Sequence, residues 1–231
     1  MQNRTIIITG ATGGLGTAVT QLVLKRGARI TIPFHSPDQV ERLRQTLQKK
    51  DIDKINFIWA DLRDEQKVSE IFEPLKIVDG LIHLVGGFAM GPTTDFSLEE
   101  WQQQITLNMT STFLVCKYAL RKMRKTGYGR IVTVASRAAL EPGAQTAAYS
   151  AAKAGVLALT RSIAEETKGT GITANTVLPG IIDTAANRQA MGDREAHKWV
   201  KPASLAEVIC FLASEAAADL RGAAIPVYGS V

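Results

Sequence analysis

A chain of 231 residues with 45% hydrophobic and 21% charged side chains is long enough for one large α/β domain whose core needs no disulfide or metal support. Two cysteines without metal-ligand spacing exclude a disulfide scaffold, and no apolar run approaches the ~20 residues of a membrane span. We therefore expect one soluble, metal-free domain over residues 1–231 that keeps its N-terminus, works in the reducing cytoplasm and binds no membrane.

Seven short apolar runs bounded by turn residues predict seven β-strands. They cover residues 4–9, 28–34, 54–60, 79–85, 129–136, 171–178 and 223–229. Most are continuously apolar rather than alternating, which is typical of strands buried on both faces. Helical patterns separate them, at residues 14–26, 38–50, 65–75, 98–126, 147–168 and 204–214. This alternation predicts a single-domain α/β fold, a doubly wound parallel sheet of about seven strands with helices on both faces.

The first predicted strand runs directly into a glycine-rich turn, "TGATGGLG" at residues 9–16. Glycines permit a tight turn, let the backbone approach a pyrophosphate and let the helix pack close to the sheet. Free amide groups at a helix N-terminus also favour an anion. Because the pattern follows a strand and opens a helix, it predicts a dinucleotide site rather than a merely structural turn. The predicted contacts are Gly10, Thr12, Gly13, Gly14, Leu15 and Gly16.

The net charge of +5 raises the question of an acidic partner. The densest basic run is "RKMRK" at residues 121–125, which ends a predicted helix just before Gly127. Basic groups in a last helical turn complement the helix dipole and stay solvated. No aromatic platform or nucleic-acid motif accompanies the run, so we expect no nucleic-acid partner.

A tyrosine and a lysine lie four residues apart, as Tyr149 and Lys153, in the small-residue stretch "AAYSAAKAG". The same spacing recurs at Tyr118 and Lys122, so the spacing alone is weak evidence, and we interpret that second pair as ordinary helix surface. Tyr149 differs because Ser136 stands thirteen residues before it, at the C-terminal end of a predicted strand, where open α/β sheets place ligands.

These three side chains form a candidate catalytic group. Lys153 lies on the helical face of Tyr149, and we expect its charge to lower the pKa of the phenol. Tyr149 would then act as a general acid at neutral pH, while the Ser136 hydroxyl donates a hydrogen bond to the same carbonyl oxygen.

Together these motifs resemble the short-chain dehydrogenase/reductase family over essentially the whole chain. The resemblance is carried by "TGATGGLG", "DL" at residues 61–62, "NMTSTF" from residue 108, the serine with "YSAAK", and "PGIIDT" at residues 179–184. It implies a Rossmann-like domain that binds NADP or NAD and interconverts a small carbonyl compound and its alcohol. It also implies a homo-oligomer, a dimer or tetramer built on the long predicted helices.

The resemblance implies roles for individual residues. Asn108 would hold a water in a proton relay behind Lys153, and Lys153 would also contact the nicotinamide ribose. Asp61 would accept a hydrogen bond from the adenine amino group. Thr184 and the backbone of Ile182 would orient the nicotinamide carboxamide. The further cofactor positions within the family motifs are Leu62, Gly86, Gly87, Tyr149, Pro179 and Gly180.

Taken one at a time, two of these residues have plainer interpretations. Asn108 fits a tolerated polar residue within a helix, and Asp61 fits a turn or N-cap residue. Their order along the chain, beside Ser136, Tyr149 and Lys153, favours the functional roles.

The chain departs from the family pattern at the end of the fourth predicted strand. His83 and Leu84 stand where the family usually has two asparagines, whereas Gly86 is kept. We interpret His83 as a strand histidine satisfied by backbone partners rather than a catalytic base, because Tyr149 already supplies the proton.

The end of the second predicted strand selects the cofactor in this family. Phe34, His35 and Ser36 stand there, so nothing acidic opposes a 2′-phosphate. This pattern favours NADP over NAD, with His35 and Ser36 as weak donors. A plain loop role for His35 is the alternative.

The short substrate loop at about 183–203, together with "GGFAMG" at residues 86–91, resembles dihydropteridine reductase, although Ser136 is kept. Asn187, Arg188, Met191 and Trp199 are candidates to line or close the pocket, and Trp199 fits a packing anchor equally well.

Three functions remain open at this stage. The first is reduction of a small carbonyl compound, and the second is reduction of a quinonoid pterin or related heterocycle. The third is a non-catalytic dinucleotide-binding or redox-sensing protein, which would have no need of a serine, tyrosine and lysine together. Neither the substrate nor the physiological direction follows from the sequence.

Overall fold

The computed structural model describes residues 1–230, so Val231, the last residue of the predicted domain, lies outside the described part. Seven parallel strands form one sheet in the order β3-β2-β1-β4-β5-β6-β7. They are β1 (Thr5–Thr9), β2 (Arg29–Phe34), β3 (Ile55–Trp59), β4 (Gly80–His83), β5 (Tyr128–Val134), β6 (Gly171–Pro179) and β7 (Ala224–Val227). The predicted strands are therefore confirmed, most of them slightly shortened.

The helices agree with the sequence pattern except at three places. They are α1 (Gly14–Lys25), α2 (Pro37–Gln45), α3 (Lys49–Ile52), α4 (Glu65–Phe72), α5 (Leu98–Ile105), α6 (Ser111–Thr126), α7 (Ala147–Glu166), α8 (Ala185–Met191) and α9 (Pro202–Leu212). The predicted helix at 38–50 divides into α2 and α3. The one at 98–126 is interrupted by a π-helical turn, Thr106–Thr110. The segment predicted as a loop after β6 contains α8.

Helices cover both faces of the sheet, which confirms the doubly wound architecture. On one face α1 and α9 pack their apolar sides against the strands, through residues such as Val19 and Ile209. On the other face α4, α6 and α7 do so, through residues such as Ile71, Val115 and Ile163. Each layer buries one free cysteine, and burial raises the pKa of both thiols to about 12.

The direction of winding reverses beside β1. The chain passes from β1 outward to β2 and β3, then returns to place β4 on the other side of β1. In open α/β sheets, the crevice outside the carboxyl ends of such strands is where ligands bind. A Cβ atom on Gly10 would lie 3.0 Å from the backbone that follows β4. Glycine at this position therefore lets the two diverging turns approach each other at the crevice.

Among residues 1–230, no helix combines the length and the hydrophobicity that crossing a membrane requires.

Candidate active site

The turn between β1 and α1 presents backbone rather than side chains to the crevice. Gly10 has a left-handed φ of +71°, and a Cβ atom on Gly16 would overlap the Gly10 carbonyl. Helix α1 has no side-chain cap on its N-terminal amides, and Gly13 and Gly14 are exposed there. Exposed, uncapped amides at the positive end of a helix fit the pyrophosphate of a dinucleotide.

Ser136, Tyr149 and Lys153 meet at the carboxyl end of β5. Ser136 follows that strand, and its hydroxyl accepts a hydrogen bond of 3.2 Å from the Ala138 amide. Tyr149 lies in the first turn of α7, where the Ser136 hydroxyl interacts with its phenol. Lys153, one turn further along α7, donates a 3.0 Å hydrogen bond to the Val134 carbonyl. A strand end and a helix start thus bring the three side chains to one place.

The pKa of Tyr149 moves in the direction opposite to the one expected. Burial of the phenol is the largest effect and raises its pKa, while the interaction with Ser136 acts the other way and is smaller. The ammonium nitrogen of Lys153 lies 5.8 Å from the phenol ring centroid and is bonded to a carbonyl. The expectation that Lys153 lowers this pKa is therefore wrong in this structure. Tyr149 is a protonated phenol at neutral pH, as a proton donor must be.

Lys153 itself is 5% exposed, and burial lowers the pKa of its ammonium group from 10.5 to about 8. Below pH 8 the Lys153 ammonium is protonated in the folded state. Because burial opposes its charge, this lowers the unfolding free energy by an amount on the order of 3 kcal/mol. Between pH 8 and 10.5 the unfolded chain binds this proton and the folded chain does not, so stability should rise with pH over that window.

The lowered pKa of Lys153 predicts that the difference in unfolding free energy between the wild type and a Lys153→Met variant depends on pH. As pH increases from 8 towards 10.5, we expect the unfolding free energy of the wild type to increase relative to that of the Lys153→Met variant. Denaturant titrations of both proteins across this range measure the difference. A constant difference would show that the lysine titrates normally in the folded state.

Asn108 lies in the π-helical turn between α5 and α6 and is fully buried. Its side-chain nitrogen donates to the carbonyls of Gly87 at 3.1 Å and Gln104 at 3.0 Å, and its oxygen accepts from the Gly87 amide at 3.1 Å. The plainer interpretation, a tolerated polar helix residue, is therefore wrong, because this amide holds the turn after β4. The water relay behind Lys153 stays a prediction.

Gly86 lies between this amide and the lysine. A Cβ atom at Gly86 would stand 2.8 Å from the Asn108 side-chain oxygen and 2.9 Å from the Lys153 ammonium nitrogen. Real Cβ atoms do not approach so closely, so only glycine lets Asn108 and Lys153 keep their positions.

His83 ends β4 and is 1% exposed. We expected backbone partners for it, but its Nδ1 shares a 2.7 Å hydrogen bond with the Thr9 hydroxyl on β1. Its Nε2 has no partner among the described residues. Burial lowers the pKa of this imidazole to about 3, with the charge of Lys153 as a lesser cause. A neutral, enclosed ring that joins two strands supports a structural role.

The residues expected at the adenosine end lie around the ends of β2 and β3. His35 stacks on Trp59, with ring centroids 6.4 Å apart. The Asp61 carboxylate accepts hydrogen bonds from Arg63, which are the main reason that its pKa is lowered. Sequence reasoning missed both Trp59 and Arg63. The sequence did offer a signal for including them in the site, because each lies two residues from Asp61.

The stretch from Pro179 to Thr184 leaves β6 and returns towards the glycine-rich turn. Gly180 is needed here because a Cβ atom would lie 2.8 Å from the Tyr228 carbonyl oxygen. Thr184 caps α8 by accepting a hydrogen bond from the Asn187 amide. Its methyl group would lie 2.8 Å from a Cβ atom on Gly14. The Thr184 side chain therefore packs directly against the start of α1.

An ion cluster fixes the predicted substrate loop. The Asp183 carboxylate pairs with Arg188 at 2.6 Å and with Lys201 at 2.7 Å, and these partners lower its pKa. Trp199 is 4% exposed, so it is a packing anchor. Met191 is exposed, which leaves it available to line a pocket.

The second tyrosine–lysine pair lies elsewhere, as expected. On α6, the Tyr118 hydroxyl donates to Glu65 at 3.1 Å and the Lys122 ammonium donates to the Leu75 carbonyl at 2.8 Å. Both side chains contact α4 and the turn that follows it, so the interpretation as helix surface is confirmed.

A doubly wound sheet with this turn at its switch point, and with this serine, tyrosine and lysine at the end of β5, has the arrangement of a dinucleotide-dependent oxidoreductase. The chain belongs to the short chain dehydrogenase family, whose model matches residues 4–195, and it is an enzyme of that family. It is 30% identical to a 3-oxoacyl-(acyl-carrier-protein) reductase of Aquifex aeolicus (strain VF5), over 100% of this chain and 98% of that protein.

Two solved structures show the same fold. One is a variant of actinorhodin polyketide ketoreductase with NADPH, at a TM-score of 0.91 and 26% identity, over 99% of this chain and 98% of the other. Another is ElxO with NADP bound, at a TM-score of 0.91 and 25% identity, over 99% of this chain and 98% of the other. These likenesses confirm the Rossmann-like fold.

Proposed function

We propose that this protein is an NADP-dependent reductase of small carbonyl compounds, acting reversibly on the corresponding alcohols. The observation that carries the proposal is the meeting of Ser136, Tyr149 and Lys153 at the end of β5. A proton donor and a second hydrogen-bond donor beside a buried cation suit the reduction of a carbonyl group.

Each side chain of the catalytic group has its own role in the proposed reduction. When bound, the nicotinamide cofactor supplies the hydride that the carbonyl carbon accepts. The carbonyl oxygen takes the proton of the Tyr149 hydroxyl, so the product is an alcohol and the tyrosine becomes a phenolate. The Ser136 hydroxyl donates to the same oxygen as negative charge develops on it. The buried ammonium of Lys153 lies one helical turn away, and a proton would return to the phenolate from solvent through a water that Asn108 holds behind Lys153.

Several features of the crevice fit such a cofactor. The uncapped start of α1 suits its pyrophosphate, and the lack of a side chain at Gly86 lets the turn after β4 lie directly against Asn108 and Lys153. The residues that would hold it are Gly10, Thr12, Gly13, Gly14, Leu15, Gly16, His35, Ser36, Asp61, Leu62, Gly86, Gly87, Tyr149, Lys153, Pro179, Gly180, Ile182 and Thr184.

The preference for NADP is supported by the end of β2, where His35 and Ser36 leave no carboxylate to repel a 2′-phosphate. The bound NADPH and NADP of the two structural neighbours agree with it.

The test is reduction of diacetyl, an oxoacyl thioester and quinonoid dihydropterin, each with NADPH and NADH in parallel. We expect diacetyl turnover with NADPH favoured. In the His35→Asp variant the NADPH-to-NADH ratio of kcat/KM should fall at least about tenfold, because a carboxylate repels the phosphate and accepts from the ribose hydroxyls.

His197→Asp is the matched control, since His197 is an exposed histidine outside the adenosine end, and it should keep the wild-type ratio. Turnover of the pterin alone would favour the second function, and no turnover of any compound would contradict both. An unchanged ratio in His35→Asp would remove His35 from the cofactor site.

We also propose a homo-oligomer, dimer or tetramer, built on the outer faces of α6 and α7. Apolar side chains that a soluble surface seldom shows are partly exposed on and before α6, namely Trp101, Met109 and Phe113. Their burial in a helix pair would be favourable. Sedimentation of the purified protein as a monomer would contradict this.

A further inference from the structure

An aromatic side chain outside the catalytic group lies directly against the candidate proton donor. The ring of Phe88 meets the ring of Tyr149 edge to face, with centroids 4.9 Å apart and planes at 81°. Phe88 nevertheless remains 59% exposed. An aromatic ring that leaves most of its surface open beside the phenol provides a flat apolar wall for whatever approaches that phenol.

Further exposed apolar side chains surround the same end of the sheet. Met90 follows β4 with Phe88, Leu140 follows β5, and Met191 ends α8 after β6, and each is more than half exposed. These three strands are neighbours in the sheet, and the catalytic group lies at the carboxyl end of the middle one, β5. Large apolar side chains clustered beside polar catalytic groups are typical of a small-molecule site.

Two arginines in these segments already have acidic partners. The turn at residues 86–94 contains no charged residue. Arg137 pairs with Glu141 at 2.8 Å and also lies over the Tyr228 ring. Arg188 is held by Asp183. A carboxylate or phosphate would have to displace Glu141 or Asp183 to use either of these arginines as its counter-charge, which disfavours an ionic substrate there.

The wall formed by Phe88 is held in place relative to the tyrosine. The Gly91 amide donates a 2.8 Å hydrogen bond to the Gln145 carbonyl, which joins the turn after β4 to the segment that leads into α7. Gln145 has a φ of +62°, a left-handed conformation that a residue with a side chain adopts at a cost. This bond therefore couples the position of Phe88 to that of Tyr149.

We propose that the substrate is a neutral compound whose carbonyl group is attached to a flat, apolar ring, and that Phe88 selects it by packing against that ring. The inference rests on the proposed carbonyl reductase function and adds the substrate class. The hydride and proton transfers are those already described, so Phe88 takes part in binding and not in the chemistry.

The experiment compares three ketones with NADPH: acetophenone, its para-carboxylate and diacetyl. We expect the wild type to reduce acetophenone with a kcat/KM at least about tenfold above that of the carboxylate. In the Phe88→Leu variant, the ratio of kcat/KM for acetophenone to that for diacetyl should fall about tenfold, mainly through KM. Phe211→Leu, an equally conservative change at an exposed phenylalanine on α9, should leave that ratio unchanged.

Two results would overturn the proposal: equal or better turnover of the carboxylate, or an unchanged ratio in Phe88→Leu. Reduction of diacetyl without a preference for acetophenone over its carboxylate would contradict this inference but not the proposed function. No reduction of any ketone by the wild type would instead contradict the proposed function. The wild-type comparison stands even where a variant folds poorly.

Discussion

Replacing Tyr149 with phenylalanine should lower kcat for ketone reduction by about 10²–10⁴-fold, the usual contribution of a positioned general acid. The change removes one hydroxyl and keeps the ring that packs against Phe88. Burial keeps the Tyr149 phenol protonated, so the wild type holds a proton that the variant lacks. Affinity for NADPH should change little, because the turn before α1 and the Gly86 backbone are untouched.

The chain provides a matched control in Tyr118→Phe. That hydroxyl also lies four residues before a lysine, but it donates to Glu65 at the start of α4, away from the candidate site. We expect this variant to retain wild-type turnover. Steady-state rates with diacetyl and a direct NADPH titration of each protein give both quantities. Retained turnover in Tyr149→Phe would remove Tyr149 from the role of proton donor.

Gly86→Ala should lower kcat/KM by a factor comparable to the loss in Tyr149→Phe. The reason is that it displaces side chains of the site, whereas Tyr149→Phe removes a reacting group. The added methyl group would stand less than 3.0 Å from both the Asn108 oxygen and the Lys153 nitrogen. Asn108 cannot retreat easily, because it is fully buried and holds both backbone groups of Gly87. Lys153 would have to leave its bond to Val134. A displacement of about 1 Å at such a site costs roughly 10²-fold in kcat/KM.

The control is Gly143→Ala, where a methyl group would meet nothing closer than 4.0 Å. It should keep wild-type kinetics. The Gly86→Ala protein should also lose about 1–3 kcal/mol of unfolding free energy, as is usual when a packed interior is overfilled. Wild-type kcat/KM in Gly86→Ala, measured beside the control, would show that Asn108 and Lys153 have more freedom than the structure indicates.

The strands were readable from the sequence because each is a short, mostly apolar run, and the alternation with helices predicts their parallel arrangement. The interruption of the long helix at Asn108 could not be read from the sequence, because the residue that Asn108 bonds there, Gly87, is 21 residues away. Helix α8 did leave a local signal. Thr184 caps it by accepting from the amide three residues on, a pattern that favours a helix start.

For the candidate site, the sequence by itself determined which residue types are available: the glycine-rich turn, and Ser136, Tyr149 and Lys153 in their order along the chain. The sequence could determine these residues because each motif is recognised from the predicted strand or helix that directly flanks it. Their chemical roles remain a proposal.

Only the tertiary structure decided the direction in which the pKa of Tyr149 shifts, the closeness of Gly86 to Lys153, the contact of Phe88 with the phenol and the pairing of Asp183. Desolvation depends on what packs over a group, and close contact depends on how remote segments meet at the strand ends. A lysine four residues away predicts a lowered phenol pKa on charge alone, whereas the packing of β4, β5 and α7 buries the phenol and reverses that sign.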